Sequence, residues 1–100
     1  MRYTLQLIMI KSWKHKGLKQ FYFETSKAGI KPEHARRLTI ILQVLDAAET
    51  TGDLNLPGFH FHKLSGPLKE YYSVKVSGNW RIIFKFNGND AELVDYLDYH

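Results

Sequence analysis

The 100-residue chain contains no cysteine. That single absence removes disulfides, thiolate nucleophiles and cysteine-based metal sites, so the core must hold by packing alone. No run of eighteen or more apolar residues is present, and the opening MRYTLQLIMIK is too short and too polar to cross a bilayer or to act as a signal peptide. A cytoplasmic protein with no membrane partner is expected. Repeats and low-complexity segments are also missing. Acids are scarce at one end: residues 1–40 hold two (Glu24, Glu33) against nine lysines and arginines, whereas the remainder holds eight against five. A basic end of this kind draws polyanions, nucleic acid foremost, although lysine-rich helix faces are often only solvated surfaces.

What is present suits one domain spanning residues 1–100, with 44% hydrophobic and 14% aromatic residues to fill a modest core. LQLIMIKSW reads as a first strand. Leu18, Phe21, Tyr22 and Thr25 then recur at helical spacing, with Gly29 as the expected stop. Pro32 suits the first turn of a second helix, whose apolar stripe runs Ala35, Leu38, Ile41, Leu42, Leu45 and Ala48. After the loop TTGDLNLPG, four runs rich in β-branched and aromatic residues follow, FHFHKL, YYSVKV, WRIIFKF and AELVDYL. Turn signals separate them, so an antiparallel meander is expected. The predicted fold is α+β: two N-terminal helices packed on one face of a twisted antiparallel sheet of four to five strands.

Alternation assigns Trp80, Ile82, Phe84 and Phe86 to the helix-covered face. The other face would then collect His60, His62, Tyr71, Ser73, Lys75, Arg81 and Lys85. Arg81 offers a rigid fork of donors suited to phosphate, the alternative being a cross-strand salt bridge to Glu92 or Asp95. His60 and His62 would share a face in a regular strand. No third or fourth ligand accompanies them, so no metal or other cofactor is expected; His62 could instead transfer protons near neutrality. His15 and His34 read as surface residues. The closing Asp98, Tyr99 and His100 could curl toward the polar face, or Tyr99 could pack under the sheet with His100 in solvent. A base, a cation and an acid at one spot are what cutting RNA through its 2′-OH requires.

The segments MIKSWKHKGLKQFYF, GIKPEHARRL, LDAAE, DLNLPGFHFHKLSG, YSVKVSGNWRIIFKF and DYLDYH resemble the HigB family of RelE-type toxins from Met9 onward. SGNWRIIF combined with a terminal DYH is the specific part. Residues 1–8 would then be an N-terminal extension of the RelE-like domain. The resemblance implies a ribosome-dependent endoribonuclease that cuts messenger RNA in the ribosomal A site. It also implies a HigA-like helix-turn-helix antitoxin, with operator DNA touched only through the antitoxin complex. Carried over by position, the catalytic residues are His62, Arg81, Asp98, Tyr99 and His100. RNA contacts are expected from Lys63, Lys75 and Lys85 on the sheet and from Lys14, Lys16, Lys19, Arg36 and Arg37 on the basic helical half. Ser65 stands where the family often has a lysine, which leaves Lys75 or Lys85 to supply the charge. A gyrase-binding toxin of the ParE kind and a small basic RNA-binding module are the competing readings.

Overall fold

The computed structural model describes residues 10–88 and 90–99. Most of the expected first strand and the extension at 1–8 lie outside the described residues, as does His100. Helix α1 spans Lys16–Glu24. Its N-terminus is capped by His15, whose Nδ1 accepts the Leu18 N–H at 2.9 Å. A histidine thus does the work usually given to Ser or Asp, satisfying one orphan donor of the first turn. Helix α2 spans Ala35–Ala47 behind a 3₁₀ turn at Pro32–His34. Pro32 fits there because the first turn has no use for its missing N–H.

Gly29 is not the stop of α1. The helix ends at Glu24, and Thr25 takes the left-handed cap with φ 57°. Gly29 serves a different need: a Cβ on it would stand 2.5 Å from the Cα of Gly17. The two glycines let the 25–31 loop lie directly on the start of α1.

The sheet is an antiparallel meander in the order β1-β2-β3-β4, with β1 at His62–Lys63, β2 at Tyr72–Ser77, β3 at Trp80–Asn87 and β4 at Asp90–Asp98. Beyond β4, Ile10 and Trp13 make parallel bridges to Ala91 and Val94. This start of the chain extends the sheet without forming a regular strand. Between Ile83 and Lys85 the pairing with β4 shifts by one residue, and Leu93 is left with φ 54°. A non-glycine residue needs support in that conformation. Ser12 provides it, its Oγ accepting the Leu93 N–H at 2.8 Å and its carbonyl accepting the Val94 N–H at 3.1 Å. The added residue raises local twist and bends the strand.

One face of the sheet is covered by the helices. Leu38, Ile41, Leu42 and Leu45 of α2 and Leu18 of α1 are fully buried with Val74, Ile82, Phe84 and Val94. Polar groups buried on this side are paired. His34, only 5% exposed, places Nδ1 2.7 Å from the Tyr96 hydroxyl, which also accepts the Lys31 N–H at 3.3 Å. Burial pushes the Tyr96 phenol up from its ordinary pKa. The sequence expectation that His15 and His34 are surface residues is therefore corrected: one caps a helix and the other joins α2 to β4. Their rings also pack edge-on against Tyr96.

Candidate active site on the open face

Among the described residues no helix lies on the opposite face of the sheet. Register places its side chains in rows: Lys75 opposite Arg81 and Arg81 opposite Leu97; then His62, Ser73, Ile83 and Asp95 in successive partnership. Tyr71 and Lys85 continue the same alternation one row further. Lys14, attached beyond the far edge of β4, reaches over to bring its Nζ within 5.9 Å of the Tyr71 ring centre on the β2 side.

Arg81 stands at the centre of this face in an unusual state. Its Nε and Nη1 are buried and have no hydrogen-bond partner. The cross-strand salt bridge to Glu92 or Asp95 does not form; the ion pairs among the described residues are Lys31–Glu33 and Lys85–Glu70. Directly opposite stands Lys75, another cation. Like charges facing across a strand pair destabilise it, and unpaired buried donors of a charged group cost more still. The Ser73 hydroxyl, on the same face, is also buried and unpartnered. An anion that lies across Arg81 and Lys75 would relieve all of these costs at once.

His62 supplies a group that can move protons. It is exposed, and its Nδ1 lies 3.0 Å from the His60 carbonyl oxygen. A carbonyl can only accept, so Nδ1 is the donor in that bond and Nε2 is not used in it. The expected pairing of His60 with His62 on one strand face fails, because His60 has φ 49° and the regular strand begins only at His62. Among the described residues no three His, Asp or Glu side chains converge as a metal site would require.

The other expected site residues divide between the faces. Tyr99, whose N–H donates to the Asn79 carbonyl at 2.8 Å, carries the ladder past β4 on the side of Leu97 and Arg81. Asp98 is opposite Trp80 in register, which puts it on the helix side of the sheet and not beside Arg81. Lys63 pairs with Tyr72, also on the helix side, and its Nζ sits 5.9 Å over the Tyr72 ring. It nevertheless lines one cavity with Lys85, Glu70 and Glu92 at the end of the sheet. Lys85 is on the open face but is bound to Glu70 at 3.2 Å. Lys75 is the cation that faces Arg81. Asp95 is a carboxylate on this face that sequence reasoning considered only as a salt-bridge partner; its Oδ1 accepts the Tyr96 N–H at 2.9 Å.

The helical cations are elsewhere. Lys16, Lys19 and Arg36 are exposed on the helix layer. Arg37 is not a free cation, since its Nη2 donates to the carbonyls of Gly58 at 2.7 Å and Lys75 at 3.0 Å while its guanidinium stacks on Phe59. It ties α2 to the loop before β1. A cleft of about 730 Å³ lies between α1 and α2 and is lined by Phe21, Thr25, Arg36 and Ile40 among others. Its lining contains no histidine or carboxylate that could form an acid–base pair.

A family described as "RelE-like toxin of type II toxin-antitoxin system HigB" matches residues 11–100. The chain belongs to the HigB family of RelE-like toxins. Two curated relatives agree. "Endoribonuclease HigB" of Proteus vulgaris is 40% identical over 92 residues, covering 92% of this chain and 100% of the relative. "Toxin HigB-1" of Vibrio cholerae serotype O1 is 36% identical over 94 residues, covering 98% of the relative. The α+β arrangement of two helices on one face of a four-stranded antiparallel sheet is consistent with that family. Membership makes the protein a toxin of a type II system, for which an antitoxin partner is implied.

Proposed function

We propose that this toxin is an endoribonuclease that cuts messenger RNA in the ribosomal A site by acid–base attack of the ribose 2′-OH on the adjacent phosphate. The observation that carries this reading is the unpartnered, buried guanidinium edge of Arg81 facing Lys75 on the open side of the sheet. Arg81 and Lys75 bind the scissile phosphate and neutralise the charge that builds on its oxygens. His62, through Nε2, exchanges one proton with the reacting ribose or the leaving 5′-oxygen. His100, outside the described residues, is assigned the second proton transfer. Tyr99 orients or stacks on a base. Asp98, on the helix side of β4, acts by holding the chain end in place and not by touching RNA.

Lys16, Lys19 and Arg36 suit contact with ribosomal RNA behind the site, because dispersed cations grip backbone without reading sequence. Ribosome association should weaken as salt rises. The antitoxin is assigned as a HigA-like helix-turn-helix protein, operator DNA being reached through that complex. The name of the Proteus relative favours the nuclease over a gyrase-binding toxin or an inert RNA-binding module. Arg81→Ala should stop messenger cleavage in a translating extract while the circular dichroism spectrum and antitoxin binding are retained. Full cleavage by that variant would refute the assignment.

A further inference from the structure

We propose that Tyr71, with Lys14 and Lys85 around its ring, is a second RNA subsite that takes a backbone phosphate of the same strand; this rests on the nuclease reading above. Lys14 and Lys85 come from opposite ends of the chain, yet their ammonium groups lie 5.9 Å and 5.5 Å from the centre of one half-buried ring. The ring attracts each cation, but at an exposed site that is worth only about 0.5–1 kcal/mol, so neither ammonium is held firmly by it. The acid at hand is Glu70, whose side chain is 68% exposed and holds Lys85 at 3.2 Å. An exposed pair of this kind is easily exchanged. Lys14 makes no ion pair among the described residues.

The cluster therefore offers two ammonium groups and a phenolic hydroxyl on the face that holds Arg81. Ammonium groups bind phosphate as point charges, and contacts to the backbone carry no sequence information, so the subsite is assigned a backbone phosphate. Tyr71 precedes Lys75 by four positions along β2, about 13 Å in an extended strand. One phosphate cannot reach both positions. The subsite thus holds a neighbouring nucleotide and sets the direction in which the strand crosses the sheet.

The test is a titration of the full chain with a single-stranded 2′-O-methyl RNA oligonucleotide, which cannot be cut, followed by fluorescence anisotropy at several salt concentrations. The Lys14→Ala/Lys85→Ala variant should bind several-fold more weakly, and its log–log salt slope should be shallower by about 0.7, the value for one phosphate contact on a single strand. Glu70→Gln should bind more tightly, because it removes the competing carboxylate; a merely structural role for the pair gives the opposite sign. Tyr71→Phe should lose less than the double lysine variant. If Arg81→Met flattens the slope while the lysine variant and Glu70→Gln match wild type, the subsite is wrong and the nuclease reading stands. If none of the variants changes binding, the subsite is wrong, and cleavage by Arg81→Ala in a translating extract decides the nuclease reading separately.

Discussion

The two faces of the sheet are built to different ends. On the helix side, apolar side chains are fully buried and the buried polar groups find partners, as His34 and Tyr96 do across 2.7 Å. On the open side, Arg81 and Ser73 bury polar atoms without partners, and a lysine faces an arginine. The same strands carry both faces, alternating residue by residue, so the contrast does not come from a poorly folded region. One side pairs its buried polar groups and the other leaves those of Arg81 and Ser73 unpaired, which is the contrast the proposed RNA-binding role rests on. Residues at functional sites are where such local costs are expected to persist.

That contrast can be broken first on the helix side. Phe84→Ala removes a fully buried ring from the centre of the core and should cost about 3–5 kcal/mol, read by urea or thermal unfolding. A loss well under 2 kcal/mol would mean that the helix layer is loosely packed. A smaller effect is expected from Tyr96→Phe, which strips the hydroxyl from His34 and the Lys31 N–H and should cost about 1–3 kcal/mol by the same measurement. No loss would show that these partners are satisfied in another way.

The smallest effect concerns Asp53, whose Oδ2 accepts the N–H groups of Glu49 at 2.9 Å and Thr50 at 3.2 Å. Those bonds hold its carboxyl below the usual pKa. The sign follows: its contribution is fully present above the unfolded-state pKa and is lost as pH falls through the lower folded-state value. Asp53→Ala should therefore lower the melting temperature slightly at neutral pH, and the gap to wild type should close in strong acid. A gap that widened on acidification would contradict the hydrogen-bond origin of the shift.

Much of this architecture is legible in the sequence because it depends on period. The stripe from Leu38 to Leu45 fixes the buried side of α2, and alternation along WRIIFKF correctly separates Ile82 and Phe84 from Arg81. What escaped was set by single contacts. The Gly17–Gly29 approach, the His15 cap and the burial of His34 join residues whose local pattern is that of ordinary loop and surface. FHFHKL looks like six residues of strand, but the left-handed turn at His60 leaves only His62 and Lys63 regular. Spacing alone placed Asp98 with Arg81; the register across β3 and β4 places it with Trp80. Lys75 could not be preferred over Lys85 until the Glu70 pair was seen.

The most direct measurement is the stability and activity of Arg81→Met side by side. Methionine fills the space of the guanidinium stem without burying unpaired donors. If Arg81 serves to bind an anion on the open face, the variant should melt at or above the wild-type temperature while messenger cleavage in a translating extract falls by about 10²–10³-fold. A variant that melts several degrees lower and still cuts would show that Arg81 serves the fold and that the chemistry lies elsewhere.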